Sequence, residues 1–246
     1  MRYFLEVSYR GTHYSGFQSQ KNANTIQAEI QKAFKILLRE EIELTGASRT
    51  DAGVHARQNY FHFDIKSELS SQLLYNVNAL LPGDIAAKKL LRVKDDDHCR
   101  FDAISRGYKY FIYNKKNPFL TDRAFYFPYP LDLDSMQNAA AILKEYSDFT
   151  SFSKRNTQVK SFVCEIKESK WVIEEEGFVY QVKANRFLRG MVRALTATML
   201  KVGRSKINLG TFRNIIESKD CSLANFAVPA HGLFLIDVSF PDNYFK

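Results

Sequence analysis

Two hydrophobic periods alternate along this chain, and that alternation most constrains its fold. Tyr3, Leu5, Val7 and Tyr9 recur at every second residue, the spacing of a half-buried strand. Ile26, Ile30, Ala33, Phe34, Leu37 and Leu38 then fall at helical spacing, with Asn24 or Thr25 available as a cap. From 58 to 65 the period returns to two, with Phe61, Phe63 and Ile65 on one face and Tyr60, His62 and Asp64 on the other. A helix is predicted over 70–81, stopped by Pro82-Gly83, with strands over 87–93 and 106–114. A second half begins near residue 118. It holds a helix over 135–146, antiparallel strands over 162–166, 171–173 and 178–184, a helix from Arg186 to Gly203, a helix over 211–217 and a closing strand over 233–240. Glu174, Glu175, Glu176 and Gly177 read as a solvated turn. The pattern predicts an α+β protein of two similar lobes, residues 1–115 and 116–246, with antiparallel-rich mixed sheet flanked by helices.

The bulk properties narrow the class. A chain of 246 residues, 45% hydrophobic and 25% charged, has the composition of a globular protein and excludes global disorder. It lacks the roughly 18 uninterrupted apolar residues of a membrane-spanning helix. Its alternating N-terminus reads as a strand rather than a signal peptide, so the expectation is a soluble cytoplasmic protein without a membrane partner. Cys99, Cys164 and Cys221 are far apart and in no C-x-x-C arrangement, which suits reduced, packed thiols. A net charge of +8 suits a polyanionic partner such as RNA, DNA or an anionic lipid surface.

Three constellations carry candidate chemistry. On a helical wheel from Arg186, the residues Phe187, Leu188, Met191, Val192, Leu195, Met199 and Val202 share one side. Arg186, Arg189 and Arg193 share the other, within a stretch from Lys183 to Lys206 that has seven basic residues and no acid. That ridge reads as a solvated face or as a phosphate-contacting surface, reinforced by Lys115, Lys116, Arg155 and Lys160. In the second constellation, 47–55, small residues surround Arg49 and Asp51, which share a face if the backbone is extended. A guanidinium there would hold the carboxylate ionised for work as nucleophile or base, although Arg-x-Asp also suits a structural ion pair. His55 reads as a satisfied structural imidazole. The third is the strand Tyr108-Lys109-Tyr110-Phe111-Ile112-Tyr113, whose rings either stack on unpaired bases or fill a sheet face. Asp95-Asp96-Asp97 lacks companion ligands and reads as a loop rather than a metal site. No Gly-rich phosphate loop, G-x-S-x-G or H-E-x-x-H is present.

Arg49-Thr50-Asp51-Ala52-Gly53-Val54-His55-Ala56 resembles the active-site signature of TruA-type tRNA pseudouridine synthases. The likeness runs nearly end to end. It includes Tyr9-Arg10-Gly11 to Gly16-Phe17-Gln18, Thr25-Ile26-Gln27, the run from Asn78 to Asp84, Arg100-Phe101-Asp102-Ala103, and Asp148 to Phe152. It continues through Asn185 to Arg193 and Ala230 to Leu235.

This resemblance implies a pseudouridine synthase-like fold acting as one continuous catalytic unit. It also implies isomerisation of uridine in the anticodon stem-loop of tRNA, by a homodimer that uses neither metal nor small-molecule cofactor. It assigns Asp51 as the catalytic carboxylate, Arg49 as its partner in displacing the target base, and Tyr108 as the ring stacked on the flipped uracil. Arg193 becomes the basic residue that pairs with the carboxylate, and Arg186 and Arg189 become substrate contacts. Two positions depart from the pattern: Phe17 replaces the usual tryptophan, and Ala197 stands where a glycine is usual. Alternatives from other classes are a non-catalytic tRNA-binding or chaperone module on the same scaffold, and a metal-dependent nuclease using Asp95.

Overall fold

The computed structural model describes residues 1–155, 159–174 and 177–245. In chain order its elements are β1 (Arg2–Tyr9), α1 (Ile26–Leu38), β2 (Thr45–Gly46), β3 (His55–Asp64), α2 (Gln72–Leu80) and β4 (Ile85–Val93). They continue with β5 (Ser105–Tyr113), β6 (Phe125–Tyr126), α3 (Leu133–Ile142), β7 (Ile166–Glu174) and β8 (Gly177–Ala184). Helices α4 (Met191–Gly203) and α5 (Leu209–Glu217) precede β9 (Leu233–Ser239). This is an α+β protein with mostly antiparallel sheet. It forms two compact units, Met1–Ile104 together with the chain from Phe234 onward, and Ser105–Leu233.

In the first unit β1 is central, antiparallel to both β3 and β4. β2 pairs antiparallel and β9 parallel with β3. The alternation of β1 did not predict how deeply it lies: Tyr3, Phe4, Leu5, Glu6 and Val7 are all buried, as are both faces of β3 from Asn59 to Phe63. Helix α1 starts at Ile26 because the Thr25 hydroxyl accepts from the Ala28 amide, and Gln27 is used elsewhere, donating to the Leu44 carbonyl. Aromatic rings fill much of the core, including Phe17 stacked on Phe61 with centroids 4.4 Å apart.

In the second unit β8 lies between β5 and β7, antiparallel to each, and β6 runs parallel to β5. Helix α3 packs on β7 and α4. Helix α4 is buried on almost every side, and its Thr196 and Thr198 hydroxyls donate to the carbonyls four residues back.

Two local expectations fail here. The predicted strand over 162–166 is an irregular segment with one isolated bridge, Val163 to Asp148, and β7 instead runs unbroken from Ile166 to Glu174. Of the expected turn, Glu175 and Glu176 lie outside the described residues. The helix expected from Arg186 begins only at Met191. Gly190 is left-handed at φ 74°, and the backbone groups before it are bonded outside the segment: Asn185 N–H to the Glu165 carbonyl and the Arg189 carbonyl to Lys154 N–H. Arg186 and Arg189 therefore lie on an irregular approach to α4, and the helical face expected to carry them with Arg193 does not form. Among the described residues no helix is long and apolar enough to cross a membrane.

Candidate active site

The segment joining β2 to β3 displays Arg49 and half-buries Asp51. Its burial alternates as in an extended chain: Ser48 and Thr50 point inward, and Arg49 is exposed. A turn then closes as Val54 N–H donates to the Asp51 carbonyl at 3.2 Å, with Gly53 at φ 77°. Arg49 forms no hydrogen bond or ion pair among the described residues, so its guanidinium is not spent on a local structural pair.

The inward side of the loop is held by a buried polar network. Asn59 on β3, 0% exposed, donates from Nδ2 to the Ser48 carbonyl at 2.9 Å and to the Tyr9 hydroxyl at 3.2 Å. The Tyr9 hydroxyl is bonded in turn to the Thr50 hydroxyl at 2.8 Å. One side-chain amide thus fixes the residues on either side of Arg49. Backbone bonds add Phe17 N–H to the Thr50 carbonyl and Gly53 N–H to the Tyr14 carbonyl. Gly11 and Gly16 permit this approach: a Cβ on Gly11 would lie 2.0 Å from the Val54 carbonyl oxygen, and one on Gly16 3.2 Å from that of Thr50. His55 is 1% exposed, accepts from Gly11 N–H at Nδ1 and stacks on Phe234 at 4.4 Å, as expected of a structural imidazole.

The second unit positions the other candidate residues separately. Tyr108 stands half-buried on β5, its ring edge-to-face with Phe187 at 5.1 Å. Arg193, three residues into α4, donates from Nε and Nη2 to the Val228 carbonyl at 2.9 and 2.7 Å, which fixes the plane of its guanidinium. Arg186 is half-exposed and Arg189 exposed. Asn185 anchors their loop, its Oδ1 accepting from Glu165 N–H at 2.9 Å and its carbonyl from Arg106 at 3.1 Å. Tyr110, two residues after Tyr108, serves the core instead: it is fully buried and donates to the Pro229 carbonyl at 2.7 Å.

Neither cysteines nor acidic runs add a metal centre. Cys99 and Cys164 are buried, and burial pushes the Cys164 thiol up to about 11. Asp95 pairs with Arg92 at 3.0 Å, and Asp97 accepts from Lys94 N–H. Among the described residues no group of three or more His, Cys, Asp or Glu could hold a metal ion.

Comparison with known proteins decides the family. A family model described as tRNA pseudouridine synthase matches residues 6–102 and 139–241. The chain belongs to the tRNA pseudouridine synthase family. A tRNA pseudouridine synthase A of Azobacteroides pseudotrichonymphae is 44% identical over 246 residues, covering 100% of this chain and 99% of the relative. One from Parabacteroides distasonis is also 44% identical, covering 99% and 98%, and one from Staphylococcus aureus is 36% identical, covering 99% and 93%. The family match includes the Asp51 loop, Asn59 and α4. Of the residues that brace that loop, Asn59 was not singled out from the sequence, and Tyr9 was read only as a strand residue and part of the family resemblance. The available signal was an amide immediately before the aromatic run Tyr60-Phe61-His62-Phe63, a residue type that is buried only with its hydrogen bonds made.

Proposed function

We propose that this protein isomerises uridine to pseudouridine in the anticodon stem-loop of tRNA, with Asp51 as the reacting carboxylate. The observation that carries this reading is the braced loop, which presents Asp51 and an unpaired Arg49 in a chain matched to the family along most of its length. The reaction breaks the N1–C1′ bond and joins C1′ to C5. The C5 proton is lost and N1 gains one, so no oxidant, metal or co-substrate enters the balance. The target base must first leave its stack, at a cost of a few kcal/mol, which stacking on Tyr108 offsets.

Asp51 then attacks C1′, removes a ribose proton to give a glycal, or adds to C6 of the uracil. Each route needs an ionised carboxylate held in place, which Asn59 and Tyr9 support by fixing the backbone around it. Arg49 assists base displacement, Arg193 is the cation that pairs with the carboxylate, and both balance charge developing on the departing uracil. Arg186 and Arg189 contact phosphates. We place the enzyme in the cytoplasm as a homodimer whose two lobes act as one catalytic unit without a cofactor.

The test uses tRNA tritiated at uracil C5 and the purified protein alone. Tritium release to water is expected from the parent. Asp51→Asn is expected to lose at least about 10,000-fold in rate while retaining tRNA binding. Tight binding without release from the parent would instead make the protein a tRNA-binding module.

A further inference from the structure

A cavity of about 380 Å³ opens in the second unit, beside the outer half of α4. Its floor is apolar, made by Phe125, Phe127 and Leu200, and Lys201, Arg204 and Lys206 stand around it. No carboxylate lines it, and none of these three cations has an ion-pair partner among the described residues. The rings form a row. Phe125 and Phe127 have centroids 5.4 Å apart, Phe127 and Tyr129 5.2 Å, all three from alternate residues of one extended segment. The Arg204 guanidinium carbon lies over this row's end, 4.0 Å from the Tyr129 centroid and 6.0 Å from that of Phe127.

The dipole of α4 accounts for cations at its C-terminal turn, which covers Lys201 and Arg204. It does not account for Lys206 beyond that turn, nor for aromatic rings lining the same cavity as three like charges. A purely apolar ligand needs no cations, and a bare phosphate needs no aromatic floor. A nucleotide uses both, and the volume falls within the usual range of roughly 300–1,000 Å³ for ligand sites.

We propose that this cavity holds an unstacked nucleotide of the tRNA, other than the target uridine. Its base lies on Phe125 and Phe127, and its phosphate lies among Lys201, Arg204 and Lys206. The proposal rests on the tRNA reading above and deepens it, adding a base-stacking contact that anchors the RNA.

The experiment measures tRNA affinity against salt concentration, together with pseudouridine formation at saturating tRNA and oligomeric state by sedimentation. For Lys201→Gln/Lys206→Gln, the slope of log affinity against log salt is expected to fall by about 1 to 2. For Phe127→Ala, affinity is expected to drop by at least about fivefold with the slope unchanged, as for loss of a stacked base. Both variants should keep the parent's rate at saturation and its oligomeric state, which also shows that they fold. Parental affinity and slope in both variants, with the parent active, would overturn the cavity alone. A change in oligomeric state would make the surface a protein interface and overturn it too. A parent that neither binds nor modifies tRNA would overturn the proposal together with the tRNA reading.

Discussion

The Asp51 loop and the Asn185–Gly190 approach to α4 are both short, irregular and arginine-bearing, yet they are held differently. The first is braced from beneath by a fully buried amide, Asn59, reaching its backbone from a neighbouring strand. The second is anchored at one end by its own Asn185 and turned at the other by a left-handed Gly190. A buried side-chain brace fixes the middle of a loop and leaves the outward residues unencumbered. A terminal anchor with a glycine fixes only where the loop starts and stops. The first arrangement suits a reacting carboxylate, and the second suits arginines that follow a phosphate backbone.

The sharpest way to break this comparison is Arg49→Ala. Because Arg49 is exposed and unpaired, stability should change by no more than about 0.5 kcal/mol. Activity should fall about a hundred- to a thousandfold, the usual loss when a group aimed at developing charge is removed. Unfolding by urea beside the tritium assay checks both halves. A large stability loss would show Arg49 to be structural.

Asn59→Leu comes next and should damage both quantities. It orphans the buried Ser48 carbonyl, costing about 2 to 3 kcal/mol, and frees the loop, lowering activity about ten- to a hundredfold. Ser48→Ala is the control: the Ser48 hydroxyl is buried without a hydrogen-bond partner among the described residues, so its removal should be neutral or mildly stabilising. Parental activity in a folded Asn59→Leu protein would show that the brace does not position the carboxylate.

These two regions also differ in how legible they were. Around Asp51 the sequence offered an extended backbone only as the condition under which Arg49 and Asp51 share a face, and it is the burial of Ser48 and Thr50 on either side of exposed Arg49 that shows the alternation. The brace was invisible, since it joins residues 9, 48, 50 and 59 through the pairing of β1 with β3, which no local period encodes. At 185–190 the period itself misled. Phe187, Leu188 and Met191 keep helical spacing, but the backbone bonds to Glu165 and Lys154 are non-local, and they compete successfully with the helix. The isolated segment before β7 failed for the same reason: its partner was Asp148 rather than the sheet. The return of the closing strand to pair with β3, in parallel, is likewise a non-local fact.

Gly190→Ala tests the glycine-turned loop. A Cβ at φ 74° costs about 1 to 2 kcal/mol, and its contact with the Lys154 side chain at 3.1 Å can relax because that chain is flexible. Stability should fall by that amount. The effect on tRNA affinity should exceed that on the rate at saturation, since the residues displaced are Arg186 and Arg189. A fall in saturated rate with affinity intact would show that this loop aims reacting groups, the role proposed for the Asp51 loop.

The smallest effect comes with pH, and it bears on the strand that supplies the brace. His62 lies on β3 three residues beyond Asn59, and burial, then the nearby His98 and Arg2, push it down to about 4, against a weaker upward pull from Asp64 and Asp102. Unfolded histidine titrates near about 6.5, so the unfolded chain takes up a proton that the native protein refuses. Stability contributed by neutral His62 is therefore complete above about pH 6.5 and is lost progressively as pH falls toward about 4. Between pH 7 and 6 only the top of that window is crossed, so the fall in Tm should be slight there and steepen below. In His62→Gln the same descent should be shallower, whatever the variant's Tm at pH 7. Parallel descents for parent and variant would mean that the acid sensitivity lies elsewhere than in the burial of neutral His62.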